Sequence, residues 1–256
     1  MAESGASLRV YLTGRVRVEA GPVLVDEADL PGRQGRLALA LLVGERDRSV
    51  PRDELAEELW GEDLPAAWDN GLRALLSKLR GVLQRTGLAP GALSHAFGCY
   101  QLHLPEDVWV DVESAGQAVH AAETALAAGD VAGAWGSTYV GYHITRRPFL
   151  PGEDGPWVTR FRTRLQGLRL RVLDCVVECN AATGELAEAV RAAEDALGID
   201  PLREATYQRY MRALAAVGDR VEALRVWQRC QRALAEELGV SPSAQTEAVY
   251  LDILRA

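Results

Sequence analysis

A mostly helical chain with a little antiparallel sheet near its N-terminal end is the fold class this sequence predicts. Three observations carry that prediction. Short, alternating, Val-rich runs occur at the start of the chain, and a second alternating pair surrounds Phe97-Gly98. Elsewhere, and from about Asp111 to the end, apolar residues recur at helical spacing. Finally, Gly184, Ala189, Ala193 and Ala196 are matched 34 residues later by Gly218, Ala223, Trp227 and Cys230. A period of that length, with glycine at a turn and small residues where helices cross, is a tetratricopeptide-like helical repeat.

Composition narrows the classes. The chain has 256 residues, 48% of them hydrophobic and 25% charged, an ordinary globular balance. No apolar run approaches the roughly 20 residues of a membrane span, and "MAESGASLRV" has no signal-peptide core. A cytoplasmic protein with no membrane partner is therefore expected. The four cysteines are scattered and lack metal-ligand spacing, so no metal and no cofactor is expected. His95, His103, His120 and His143 show no partnership of base, nucleophile and orienting group, which argues against an enzyme.

In order along the chain, "LRVYLTGRVRVEAGPVLV" gives two or three short antiparallel strands broken at Gly14 and Gly21-Pro22. "GRQGRLALALLVGERDRSV" gives a buried helix ending near Gly44 to Asp47. "PRDELAEELWG" gives a second, with Pro51 at its start, acids in its first turn and Gly61 after it. The third, "NGLRALLSKLRGVLQRTG", poses the functional question. The formal net charge is -8, yet no acid occurs from Asn70 to Pro105. On a helical wheel Leu75, Leu76, Leu79, Val82 and Leu83 fall within about 80° of Leu72, an apolar stripe. Opposite lie Asn70, Arg73, Ser77, Arg80 and Gln84, flanked by Lys78 and Arg85. Such a face offers phosphate contacts and base-edge donors together. "GALSHAFGCYQLHLP" then reads as a β-hairpin, with His95 and His103 on it.

Sheet, three helices and a hairpin beside a basic polar third helix is the order of a winged helix-turn-helix. Its recognition helix enters the major groove of double-stranded DNA. Charge argues the other way: residues 1–108 carry 12 Lys and Arg against 16 Asp and Glu, so only a local face suits a polyanion.

The second half opens with "DVESAGQAVHAAETALAAGD", a helix with an acidic first turn that closes at Gly129. A weaker repeat copy, Gly129-Asp130 with Ala134, precedes Gly184 by 55 residues, so the array is interrupted. The interruption holds Tyr139, Tyr142, Phe149 and Trp157, which either line a pocket or pack the break. A new helix starts near Asp154, Pro156 and Trp157. Its Arg160, Arg162, Arg164, Arg169 and Arg171 form either a solvated face or an acid-binding one.

These stretches together resemble the Streptomyces antibiotic regulatory protein family. "R.RLALALL" in the first helix, "DELAEELWG" in the second and "N.L...LSKLR..L" in the third resemble its OmpR-like winged helix. "GPWVTRFRTRLQGLRLRVLD", "DPLREATYQRYMRALAAVGDRVEALRVWQRCQRALAEELGVSPS" and "AVYLDILRA" resemble its bacterial transcriptional activator domain. The resemblance implies two domains, 1–107 and 108–256. It implies Arg73, Ser77 and Arg80 as DNA-facing, with Lys78 and Gln84 nearby, and Asn70 at the helix start; Arg85 and His95 complete the candidate set. Arg73 stands where many relatives have Gln, and Gly81 where many have Arg. The resemblance further implies that the loop Gly61–Trp68, with Glu62, Asp63 and Trp68, faces RNA polymerase through a sigma factor or the alpha subunit. Such proteins bind promoter direct repeats as paired molecules, so a dimer on DNA is expected, often at secondary-metabolite gene clusters. The alternative is a helical-repeat adaptor or ligand-sensing protein with weak DNA binding.

Overall fold

The computed structural model describes residues 7–61 and 63–255. Contacts divide the chain into two units: Met1–Ser114 with Arg147–Arg164, and Ala115–Arg146 with Leu165–Ala256. The family resemblance implies a single boundary, at 107/108. By contacts, residues 108–114 and 147–164 belong with the N-terminal unit.

In the first unit β1 (Leu8–Tyr11), β2 (Arg17–Ala20) and β3 (Val23–Val25) form an antiparallel meander, with Leu8 opposite Ala20 and Val18 opposite Val25. Successive side chains alternate faces in a strand, so Leu8, Val10 and Leu12 turn inward together. Helix α1 (Gly32–Gly44) follows, buried along Leu37–Val43. A two-residue strand β4 (Val50–Pro51) leads directly into α2 (Arg52–Trp60). Pro51 lacks an N–H to lose at a helix start, so it suits this junction. Next come α3 (Trp68–Gln84), β5 (Leu93–Ala96) and β6 (Cys99–Leu102), and β4-β6-β5 make a three-stranded sheet. Finally β7 (Trp109–Val110) pairs in parallel with β1, a strand the sequence reading did not foresee.

The end of β1 is held by a buried acid. Asp111 is fully buried and accepts from Leu12 N at 2.9 Å, Thr13 N at 3.0 Å, the Thr13 hydroxyl at 2.7 Å and Val112 N at 2.8 Å. Burial pushes its carboxyl above the usual range, against the pull of those four donors. Residues 147–164 close the same unit. Gly14 N donates to Pro148 O at 2.8 Å; Phe149 stacks on Phe161, and Trp157 packs edge-on to Phe149 and tilted against Phe161. Glu153, almost fully buried, accepts from Arg33 at 2.7 Å and Arg36 at 2.8 Å.

The rest is helical: α4 (Asp111–Ala127), α5 (Val131–Thr145), α6 (Pro156–Thr183), α7 (Leu186–Ile199), α8 (Glu204–Val217), α9 (Arg220–Leu238) and α10 (Ala244–Arg255). The α4–α5, α6–α7 and α8–α9 turns fall at Gly129, Gly184 and Gly218, each with φ between 76° and 90°. That left-handed conformation favours glycine over residues with a Cβ. Asp130 and Asp219 then cap the next helix, accepting from Gly133 N at 2.8 Å and Glu222 N at 3.0 Å. The repeat positions Ala134, Ala189, Ala193, Ala196, Ala223, Trp227 and Cys230 are all buried. The weak first copy therefore makes the same turn as the other two.

The arginines of α6 are mostly engaged. Arg160 meets Glu58, Arg162 donates to the carbonyls of Phe149 and Leu150, and Arg171 forms a paired contact with Glu123 at 2.6 and 2.8 Å.

Candidate nucleic-acid interface

Helix α3 is positioned by its leucines. Leu72, Leu75, Leu76, Leu79 and Leu83 are buried, at roughly 1.5–3 kcal/mol of transfer free energy each. With that stripe inward, Asn70, Arg73, Ser77, Lys78, Gln84 and Arg85 are exposed, and Arg80 is half-buried. The one-sided polar face of the sequence is thus a continuous surface. Gly81 also lies on this exposed side, and a side chain there meets nothing within 4 Å.

The basic groups are not all free. Arg73 pairs with Asp69 one turn earlier at 2.7 Å, and Arg52 approaches the same carboxylate at 3.5 Å. Arg85 pairs with Asp29 at 2.7 Å, which holds that carboxyl below the usual carboxylate range. Arg80 donates its Nε to Leu93 O at 2.9 Å and so binds the helix to β5. Among the described residues Lys78 is the one basic group of α3 without an ion pair or hydrogen bond to a protein group.

The hairpin stands beside this face. Its two-residue loop is Phe97-Gly98, with φ of 52° and 75°. Those angles match the tight turn whose twist suits a hairpin, normally written with Asn or Gly at its first position. Phe97 is fully exposed at 105%. Nothing in the alternation singled it out, yet the tip of a two-residue loop is the most solvent-facing point of a hairpin. His95 is exposed and stacks on Tyr100 at 4.4 Å.

Of the residues expected in the loop, Glu62 lies outside the described residues and Trp68 is the first residue of α3. Asp63 is exposed, and Trp68 is half-buried with Arg52 set 5.8 Å above its ring. Among the described residues no group of three or more His, Cys, Asp or Glu is placed to hold a metal ion, and no helix is long and apolar enough to cross a membrane.

The profile of the bacterial transcriptional activator domain matches residues 110–254. The chain belongs to the bacterial transcriptional activator domain family. Regulatory protein AfsR of Streptomyces coelicolor is 32% identical over 99% of this chain, which spans 25% of AfsR's length. Transcriptional regulator RedD of the same organism is 28% identical over 91% of this chain and 69% of its own. Among solved structures, Mycobacterium tuberculosis EmbR superposes with a TM-score of 0.84 at 25% identity, covering 98% of this chain and 65% of that one. In this company the chain is a Streptomyces antibiotic regulatory protein, and the group consists of transcriptional regulators rather than enzymes.

Within the family domain, Asp174 is an internal anchor. It receives a two-pronged contact from Arg203 at 2.5 and 2.8 Å, with Arg209 at 3.6 Å. The four aromatics of the interruption divide. Phe149 and Trp157 are packed within the first unit, whereas Tyr139 and Tyr142 line a cavity in the second.

Proposed function

We propose that this regulator is a sequence-specific DNA-binding activator. Helix α3 reads the major groove through Asn70, Arg73, Ser77, Arg80 and Gln84. Lys78, Arg85 and His95 meet phosphates, and the hairpin lies on the adjacent backbone. Two molecules bind a promoter direct repeat side by side, as a dimer on DNA. Glu62 and Asp63, with Trp68 at the start of α3, then meet RNA polymerase, at its sigma factor or alpha subunit, in the cytoplasm. A secondary-metabolite gene cluster is the proposed target, by likeness to AfsR and RedD. What carries the reading is the exposed face of α3, free of acid from Asn70 onward in a chain of net charge -8.

A second reading, an adaptor with little DNA affinity, draws on a different observation. Arg73 and Arg85 are each already matched by an acid, and residues 1–108 as a whole are acidic. Affinity capture of genomic fragments by the purified chain at physiological salt, followed by sequencing, separates the two. Enrichment of a short repeat spaced by about one helical turn supports the activator. Weak, salt-sensitive capture without a motif supports the adaptor.

A further inference from the structure

A cavity of about 480 Å³ opens between α5, α6 and α7, within the range of small-ligand pockets. Its two long walls differ in chemistry. Helix α5 contributes Trp135, Tyr139 and Tyr142, three aromatic rings on one side. Tyr139 is 60% exposed, far more than packing of a hydrophobic core would leave it. Helix α7 faces them with Glu188, Glu194 and Asp195 against the single cation Arg191. Arg191 is held by Glu188, and Glu194 accepts from the Tyr210 hydroxyl at 2.5 Å. Among the described residues Asp195 has no hydrogen bond or ion pair with a protein group. Buried Asn180 and Thr138 line the cavity too, but each is satisfied internally, Asn180 by Val176 O and Thr138 by Cys179.

An aromatic ring presents a negative face and attracts a cation lying over it. Exposed carboxylates opposite that face add a charge attraction that salt screens in part. The aromatic wall already serves one cation in this way, since the Arg146 guanidinium lies 5.9 Å from the Tyr142 ring centre. Glu188 is matched by Arg191, so Glu194 and Asp195 are the excess negative charge at the cavity rim, which favours a cation over an anion. We propose that this cavity binds a small organic cation with an apolar or aromatic body, the ammonium against Asp195 and Glu194 and the body between Tyr139, Tyr142 and Trp135. The proposal is independent of the DNA reading, because every residue in it lies in the second unit.

The test titrates the full chain with phenethylammonium, and separately with the anion 3-phenylpropionate, by ligand-observed saturation-transfer NMR and by thermal shift. Tyr139→Ala and Asp195→Asn change exposed side chains, so both variants should fold. The expected result is saturable binding of the cation, at least about tenfold tighter than the anion, with a raised Tm. Each variant should then weaken cation binding by roughly fivefold or more. Equal binding of cation and anion, cation binding untouched in both variants, or no saturable binding up to about 10 mM would overturn the proposal.

Discussion

Arg80 Nε donates to Leu93 O across 2.9 Å, from the recognition-helix candidate to the first strand of the hairpin. A residue assigned to the DNA face on the wheel therefore also fixes the angle between helix and wing. Among the described residues Arg73 has no such tie and pairs with Asp69 on its own helix.

The two arginines should separate in mutation. Arg80→Ala is expected to lower stability by about 1 kcal/mol, the typical net worth of one hydrogen bond, and to weaken DNA binding as well. Arg73→Ala should change stability by less than about 0.5 kcal/mol, as for exposed ion pairs, while binding is lost. Urea unfolding and DNA titration on both variants check this; equal stability losses would contradict the assigned roles.

Phe97 holds a backbone conformation that Asn adopts more readily. Phe97→Asn should raise stability by up to about 1 kcal/mol, because no contact of the ring is lost. A simultaneous drop in DNA affinity would show that the exposed ring serves binding. Unchanged affinity would reduce the wing tip to a turn.

Asp111→Asn replaces an acceptor of four hydrogen bonds by a group with one acceptor oxygen and an N–H pair facing donors. At roughly 1–3 kcal/mol for each buried donor left unmatched, a loss of about 3 kcal/mol is expected. The urea midpoint is the measurement, with far-UV circular dichroism to follow which elements go.

Burial pushes the thiols of Cys175 and Cys230 from 9.0 to about 12, and that of Cys179 upward too. Cys99 on the hairpin is half-exposed. A thiol reagent at pH 8 should therefore modify one cysteine quickly in the native protein and all four in denaturant. The sign for stability follows from a folded value above the unfolded one. The contribution is complete below pH 9 and is lost as pH climbs from 9 toward 12, by up to about 1.4 kcal/mol per pH unit per thiol. Burial raises Tyr207 and Tyr210 as well, with the same sign. Urea midpoints that stay flat above pH 9 would contradict this.

Periodicity reported the local elements well. The leucine stripe of α3, the Phe97-Gly98 hairpin and the glycine turns of the repeat each leave their mark in residues close together in sequence. What it missed depends on distant partners. Asp111 read as the acidic first turn of a helix, because nothing local reveals that Leu12 and Thr13 need its oxygens. Phe149 and Trp157 read with Tyr139 and Tyr142 as one aromatic break, although the two pairs belong to different units. Arg80 looked free because it lies about 80° from Leu72 on the wheel, at the border of the stripe, where a long side chain reaches back to the protein.

The buried carboxylate of Asp111 and the 147–164 segment also set a timetable. Ribosomes deliver the strands, helices and hairpin long before the residues that complete their unit. Between Ser114 and Arg164 a further 50 residues must emerge, about 2.5 to 10 s at 5–20 residues per second. For most of that interval Phe149, Trp157 and Phe161 are absent, and the end of α1 at Gly44, against which Trp157 and Phe161 pack, waits uncovered. The nascent chain is thus most exposed to aggregation and to chaperone capture midway through synthesis, and a fragment ending at residue 107 would stay in that unfinished state.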